Sequence, residues 1–219
     1  MNVVIFGATG MVGQGVLREC LLDPQVHRVV TVGRSATGQQ HSKLKEIVQA
    51  DLFNLASIEQ ELSGLDACFF CLGVSSFRMS EAEYARVTYD LTFAVAQTLA
   101  RLNPRMTFAY VSGAGTDSTE RGGSMWARVK GRTENALLRM PFRAAYMYRP
   151  GAIVPMDGIR SKTALYQCIY SLGRPLWPAL QRAFPNSITT TSQLGRAMIA
   201  VAKQGGTSRV LETRDIAGY

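Results

Sequence analysis

The sequence has no apolar run long enough to cross a membrane, and its first residues lack the basic segment and apolar stretch of an export signal. We therefore predict no transmembrane segment and a cytoplasmic location. Cysteine is scarce, with four residues in 219, and without an export signal these are expected to be reduced thiols. Neither of the two histidines has a Cys, Asp or Glu at metal-ligand spacing, so no metal site is predicted.

Acidic side chains are scarce in the second half of the chain. Residues 111–219 have 6 Asp/Glu against 15 Lys/Arg, and no Asp or Glu lies between Asp157 and Glu212. This excess favours a small, anionic substrate as the partner. An anionic membrane surface or an acidic patch on another subunit of a homo-oligomer would also fit it. Dense Arg/Lys runs with interleaved aromatics are missing, so no nucleic acid is expected.

Short apolar runs alternate with helical patterns over the first two thirds of the chain, which predicts a Rossmann-type, doubly wound, mostly parallel α/β sheet. With 47% apolar residues, the whole chain 1–219 is predicted to be one domain with a small C-terminal helical segment. Strands are predicted at 3–6, 29–32, 47–50, 67–72, 108–111 and 144–148, and helices at 12–21, 58–62, 80–103, 125–140 and 193–203.

The pattern changes after Pro150. Residues 163–184 are rich in Leu, Ile and aromatic side chains with prolines nearby, which indicates short, broken helices. Because open α/β sheets bind ligands at the carboxyl ends of their strands, we predict that residues 151–192 form a segment on the substrate side. Simple core packing is the alternative.

The first strand runs directly into the sequence Gly7-Ala8-Thr9-Gly10-Met11-Val12-Gly13. Glycines at this spacing permit a tight turn and let main-chain N–H groups at the start of a helix approach a pyrophosphate. The pattern therefore predicts a dinucleotide cofactor. The predicted binding residues here are Gly7, Thr9, Gly10, Met11, Val12 and Gly13.

The second strand lacks the acidic residue that accepts hydrogen bonds from the ribose of NAD. It is followed instead by Arg34 and Ser35. An arginine can pair with a 2′-phosphate, so the sequence favours NADP(H) over NAD(H). Residues after the third and fourth strands are also expected beside the cofactor, namely Asp51, Leu52, Cys71, Leu72 and Gly73.

Together with three later stretches, the glycine pattern resembles the extended or atypical branch of the short-chain dehydrogenase/reductase superfamily. Within it the chain is similar to NAD(P)-dependent epimerase-like proteins and to the Tat-interacting-protein oxidoreductase-like group. The stretches are Tyr110–Gly115, Trp126–Gly131 and Tyr148–Gly151. The resemblance implies that Ser112 holds the substrate carbonyl and that Lys130 binds the nicotinamide ribose. It also implies that the loop with Pro150 and Gly151 runs beside the nicotinamide.

One residue departs from the family pattern. The proton-transferring tyrosine, four residues before the lysine, is Trp126 here, and an indole N–H does not titrate near neutral pH. A proton would have to come from elsewhere, through water from Lys130 or from another tyrosine; Tyr84, Tyr89, Tyr166 and Tyr170 are the candidates. The sequence thus predicts an NADP(H)-dependent oxidoreductase acting on a small carbonyl or alcohol. The alternative is a binding or regulatory module that senses NADP(H) without turnover.

Overall fold

The structure is a computed structural model that describes residues 1–159 and 186–219. Its strands are β1 (Asn2–Phe6), β2 (Arg28–Gly33), β3 (Leu44–Val48), β4 (Ala67–Phe70), β5 (Thr107–Val111), β6 (Ala144–Arg149), β7 (Ala152–Val154), β8 (Ile188–Thr190) and β9 (Val210–Glu212). Seven of them form one sheet in the order β3-β2-β1-β4-β5-β6-β9, and every pairing in it is parallel. The predicted fold class is confirmed.

The helices follow the strands as crossover connections. They are α1 (Met11–Leu22), α2 (Glu81–Ala85), α3 (Leu91–Leu102), α4 (Met125–Leu138), α5 (Thr191–Gln204) and α6 (Thr213–Ala217), with a 3-10 turn at Ala56–Ile58. Parallel neighbours require such crossovers, and the right-handed twist of strands places the helices on both faces of the sheet.

The core has two layers because successive residues of a strand point to opposite faces. Val3 and Ile5 of β1 join a buried cluster that includes Leu17 of α1 and Leu194 of α5. Val4 and Phe6 of β1 face the other layer, which α3 and α4 cover. The central strands β1, β2, β4, β5 and β6 therefore run between two apolar layers. The carboxyl ends of all seven strands meet at one edge of the sheet.

The long helix predicted over 80–103 is continuous but not uniform. It begins with a capping box in which Ser80 Oγ accepts from Glu83 N and the Glu83 carboxylate accepts from Ser80 N, as the sequence predicts. A π-helical turn at Arg86–Asp90 separates α2 from α3. The third strand begins at Leu44, earlier than predicted, because its edge position weakens the apolar alternation that marks a strand. The predicted helix 58–62 is also shifted, since Asn54 Oδ1 accepts from Ala56 N at 3.1 Å and starts the turn there.

The segment after Pro150 includes a second, two-stranded parallel sheet formed by β7 and β8, which was not predicted. Residues 160–185, with the predicted broken helices and both Tyr166 and Tyr170, lie outside the described residues. Within the described ranges, no helix is both long and apolar enough to cross a membrane.

Candidate functional site

The glycine turn after β1 is closely packed. Gly7 has a φ of +83°, a left-handed conformation that favours glycine, and a Cβ on it would lie 2.8 Å from the Cys71 carbonyl carbon. A Cβ on Gly13 would lie 2.1 Å from the Gly7 carbonyl oxygen. Gly10, at the N-cap of α1, provides no side-chain cap, so Met11 and Val12 present main-chain N–H groups at the positive end of the helix.

A cavity of about 110 Å³ lies beside this turn at the carboxyl edge of the sheet. The structure brings six residues of the predicted cofactor site to its wall: Gly7, Thr9, Arg34, Ser35, Leu52 and Leu72. Ala8, Thr31, Val32, Gly33 and Thr37 complete the lining. A wider, shallow depression over Phe53 and Arg86 is open to solvent and has none of the glycine-turn residues in its wall, so we place the candidate site at the smaller cavity.

Arg34 is exposed at the rim of the cavity. Within residues 1–159 and 186–219 its guanidinium forms no ion pair with a carboxylate. An arginine without an acidic partner keeps its five donors available to an incoming phosphate.

Of the residues predicted after the third and fourth strands, Asp51, Cys71 and Gly73 are not part of the cavity wall. Asp51 Oδ1 accepts from Phe53 N at 2.9 Å and so closes a local turn. Cys71 N donates to Phe6 O at 2.9 Å, and burial raises the pKa of the Cys71 thiol to about 12. Since only a thiolate is a good nucleophile, Cys71 is a structural neighbour of the turn. Gly73 has open space around it.

A second cluster lies where β5 and β6 end. Lys130 Nζ on α4 donates to the Ser112 carbonyl oxygen at 2.9 Å, and Nζ lies 5.6 Å from the centre of the Tyr110 ring. Ser112 Oγ is 2.9 Å from Thr116 Oγ1, which is also 2.8 Å from the Gly113 carbonyl oxygen. The strand end thus carries two hydroxyl groups, and the main chain that bears them is bonded to the ammonium group of Lys130.

The loops after β5 and β6 are joined at the same place. Ala114 N donates to the Pro150 carbonyl oxygen at 2.9 Å, and Gly151 N donates to Thr213 Oγ1 at 2.8 Å. A Cβ on Gly151 would lie 2.4 Å from the Ser187 carbonyl oxygen. Pro150 and Gly151 are therefore fixed next to the Ser112 loop.

Lys130 has an unusual electrostatic setting. Burial lowers its pKa from 10.5 to about 8, while the carboxylate of Glu134, one helical turn further, acts in the opposite direction. That carboxylate is already engaged: Arg149 Nε lies 3.0 Å from Glu134 Oε1 and 3.2 Å from Oε2. Because the Glu134 carboxylate is paired with Arg149, it compensates only partly for the burial of Lys130. The charged form of Lys130 is therefore less stable than that of an exposed lysine.

This pKa predicts the reactivity of Lys130 in the free protein. The neutral amine is the nucleophile, so acetylation of Lys130 by acetic anhydride should rise with a midpoint near pH 8, below the 10.5 of an ordinary lysine. Mass spectrometry after short pulses across pH 6–11 measures it. Lys45, which is exposed, is the internal control in the same sample, and a Lys130 midpoint above about 10 would contradict the buried setting.

Trp126 occupies the first turn of α4, on the side of the Ser112 loop. Its ring carbon Cη2 would lie 3.5 Å from a Cβ on Gly115. Two of the candidate proton-donor tyrosines, Tyr84 and Tyr89, lie within the described ranges. Tyr84 is buried, and burial raises its pKa. Tyr89 stacks on Phe93 with ring centres 5.8 Å apart. Neither of them lines the cavity beside the glycine turn.

The basic residues of the C-terminal part that the structure describes are engaged away from this site. Arg196 Nη1 lies 3.7 Å from Glu19 Oε2, and Lys203 Nζ lies 2.7 Å from Asp23 Oδ2. The Arg209 guanidinium lies 4.9 Å from the centre of the Tyr146 ring. The other four basic residues between Asp157 and Glu212, namely Arg160, Lys162, Arg174 and Arg182, lie outside the described residues.

Sequence reasoning missed three residues of the second cluster. Thr116 follows Ser112 by four residues, but only the folded loop places the two hydroxyl groups together. Glu134 follows Lys130 by one helical turn, a spacing that could have shown the contact. Its partner Arg149 comes from β6, and the sequence contains no signal for that pairing.

The parallel sheet, the helices on both faces and the glycine turn define a Rossmann-type α/β protein. The model of the NAD dependent epimerase/dehydratase family matches residues 3–123, more than half of the chain. The chain belongs to this family, and the resemblance seen in the sequence is confirmed. The family description supports a nicotinamide dinucleotide as the cofactor.

Two curated relatives are fungal proteins. The chain is 28% identical over 158 residues to "Protein fmp52, mitochondrial" of Emericella nidulans, which covers 69% of this chain and 66% of the relative. It is 25% identical over 224 residues to "Protein fmp52-2, mitochondrial" of Aspergillus oryzae, covering 98% and 95%. The match thus spans just under two thirds of the first relative and nearly all of the second.

Solved structures share the fold at low identity. Pal from Bacillus thuringiensis superposes with a TM-score of 0.71 at 13% identity, covering 99% of this chain and 81% of Pal. WbmG from Bordetella bronchiseptica, in complex with NAD, gives a TM-score of 0.68 at 14% identity, covering 96% and 71%.

The comparisons correct one expectation. The prediction of a cytoplasmic protein is wrong, because the curated relatives are named as mitochondrial proteins. The prediction used the absence of an export signal, and that absence excludes only one route out of the cytoplasm.

Proposed function

We propose that the protein is an NADP(H)-dependent oxidoreductase acting on a small carbonyl or alcohol. The observation that carries the proposal is the combination, in the wall of one cavity, of the glycine turn and Arg34, which has no acidic partner among residues 1–159 and 186–219. The turn leaves room for a pyrophosphate at the start of α1, and Arg34 offers a bidentate donor to a 2′-phosphate.

Two residues of the second cluster would serve the reaction. When bound, reduced nicotinamide supplies the hydride. Lys130 would donate to the nicotinamide ribose, and Ser112 would contact the substrate oxygen. Pro150 and Gly151, tied to the Ser112 loop, would form the wall beside the nicotinamide, and the segment 151–192 would cover the substrate.

The hydroxyl of Thr116 decides what Ser112 can offer to a substrate. A hydroxyl group has one proton to donate. When Thr116 donates to the Gly113 carbonyl oxygen, Ser112 donates its hydrogen bond to Thr116 Oγ1. Ser112 then offers a substrate only the lone pairs of its oxygen. When Thr116 turns its proton to Ser112, the Ser112 proton is free for a carbonyl oxygen. The pair is therefore able to accept from an alcohol or donate to a ketone.

The proton that completes the reduction has no donor at the family's tyrosine position. Among the candidate tyrosines that the structure describes, Tyr84 is buried and Tyr89 is stacked on Phe93, so over these two we favour a water molecule that receives its proton from Lys130. Tyr166 and Tyr170 lie outside the described residues. An amine with a pKa of about 8 can release and regain a proton near neutral pH.

Trp126 favours a second candidate function. A protein with the cofactor site but without the tyrosine would bind NADP(H) and change its contacts with a partner, without turnover. General acid catalysis is worth about 10²–10⁴-fold in rate, so loss of the acid is a specific reason to keep this candidate.

NADPH oxidation with a panel of aldehydes, ketones and quinones separates the two functions. The oxidoreductase proposal predicts turnover of at least one substrate that falls by about 10²-fold in Ser112→Ala, with NADPH affinity unchanged. Lack of turnover on every class, from protein that binds NADPH, would reject the oxidoreductase and favour the binding module.

A further inference from the structure

We propose that Glu46 is a positioning residue that sets the preference for NADP(H), because it holds the loop that carries Arg34 and Ser35. The inference rests on the proposed function, since it assigns the residue that gives its cofactor site selectivity. Glu46 lies on β3, the edge strand of the sheet, and does not itself line the cavity.

The carboxylate of Glu46 reaches the neighbouring strand and the loop beyond it. Glu46 is paired in register with Thr31 of β2. Its Oε2 accepts from the main-chain N of Thr37 at 2.6 Å and lies 3.4 Å from Thr31 Oγ1. Both threonines line the cavity. A charge-assisted hydrogen bond to a main-chain N–H is among the stronger ones, so this contact fixes the far end of the loop.

Within the part of the chain that the structure describes, this loop has few other hydrogen bonds. Arg34, Ser35 and Ala36 are exposed. A bond from Gln39 N to Thr37 Oγ1, at 3.2 Å, is local to the loop. At the near end, Gln49 N donates to the Gly33 carbonyl oxygen at 2.9 Å. The segment from Arg34 to Thr37 is thus held between Gly33 and the Glu46 carboxylate, and these two ends determine where the Arg34 side chain begins.

If the Glu46 carboxylate acted only through its charge, its removal would have the opposite effect on the affinity for NADPH. A negative charge behind a phosphate site repels the phosphate, so loss of the charge alone would strengthen NADPH binding. If Glu46 acts by holding the loop, loss of the hydrogen-bond acceptor should weaken NADPH binding instead. The sign of the change therefore distinguishes a positioning role from a purely electrostatic one.

The experiment is calorimetric titration of NADPH and NADH into the wild-type protein and into Glu46→Ala and Glu46→Gln. Glu46→Ala should raise the Kd of NADPH by about 5–10-fold and that of NADH by less than about 2-fold, as expected for a misplaced charge-assisted contact. Glu46→Gln keeps an acceptor for Thr37 N and should restore NADPH binding to within about 2-fold of wild type. Glu59→Ala is the matched control, since Glu59 pairs with Arg101 of α3 away from the cavity and its loss should change neither Kd.

A double-mutant cycle with Arg34→Ala tests the route of the effect. Because Glu46 acts through Arg34, Glu46→Ala should cause no further loss of NADPH affinity in the Arg34→Ala background. Unfolding midpoints of all variants confirm that folded protein is compared. Unchanged or tighter NADPH binding in Glu46→Ala, or an additive loss in the double variant, would overturn this inference while the NADPH preference of the wild type stands. Equal affinity of the wild type for NADPH and NADH would instead reject the proposed cofactor choice itself.

Discussion

Replacement of Gly13 by alanine is expected to abolish useful dinucleotide binding. The new Cβ would lie 2.1 Å from the Gly7 carbonyl oxygen and 2.9 Å from the Ala8 Cα, so α1 would have to move away from the end of β1. This movement takes the N–H groups at the start of α1 away from the phosphate position. We expect the Kd of NADPH to rise more than about 10-fold and the free energy of unfolding to fall by about 1–3 kcal/mol, as for other overpacked sites.

A glycine with free space around it is the control for this prediction. Gly123 lies just before α4, outside the predicted cofactor site, and a Cβ on it would meet no atom within 4 Å. Gly123→Ala should therefore leave both the unfolding midpoint and the NADPH titration unchanged. If Gly13→Ala bound NADPH as well as Gly123→Ala does, the glycine turn would not be the phosphate site.

The second large effect concerns the missing phenol. Trp126→Tyr would place a tyrosine one helical turn before Lys130, on the same face of α4. The adjacent ammonium group would lower the pKa of that phenol and make it a proton donor and acceptor. If the wild-type protein is limited by proton supply, this variant should oxidise NADPH about 10²-fold faster with a substrate from the carbonyl panel.

Trp126→Phe is the matched control, because it reduces the ring in the same way without adding a hydroxyl. A gain in Trp126→Tyr that is absent from Trp126→Phe would assign the effect to the phenol. Equal rates in the two variants would show that the phenol adds nothing to the proton supply. A loss of activity in both would show that the indole itself contributes to the wild-type reaction.

The sheet could be predicted from the sequence because its central strands are buried on both faces. Continuous apolar runs such as Val3–Phe6, each ending at a turn residue, indicate parallel strands wherever helical patterns separate them. The short strands β7, β8 and β9 lacked this signal. Each has three residues, too few to establish a period, and their pairing depends on contacts far apart in the sequence.

The candidate site also contains residues that the local sequence indicates and residues that only the folded structure brings together. The glycine turn is a local feature, so the sequence was sufficient to indicate it, and Arg34 follows from its place after β2. Glu46 and Thr116 depend on tertiary structure. The register of β3 against β2 brings the Glu46 carboxylate to Thr37, and no local pattern encodes that register. Thr116 approaches Ser112 only in the folded loop, where Thr116 Oγ1 also donates to the Gly113 carbonyl oxygen.

We propose that the cavity beside the glycine turn binds NADP(H) through Arg34. The test is calorimetric titration of NADPH and NADH into the wild-type protein and into Arg34→Asp. One charge-assisted contact to the 2′-phosphate predicts that NADPH binds the wild type at least about 10-fold more tightly than NADH, and that Arg34→Asp removes or reverses this preference. Equal affinities in the wild type, or a preference that Arg34→Asp leaves unchanged, would show that Arg34 does not select the cofactor.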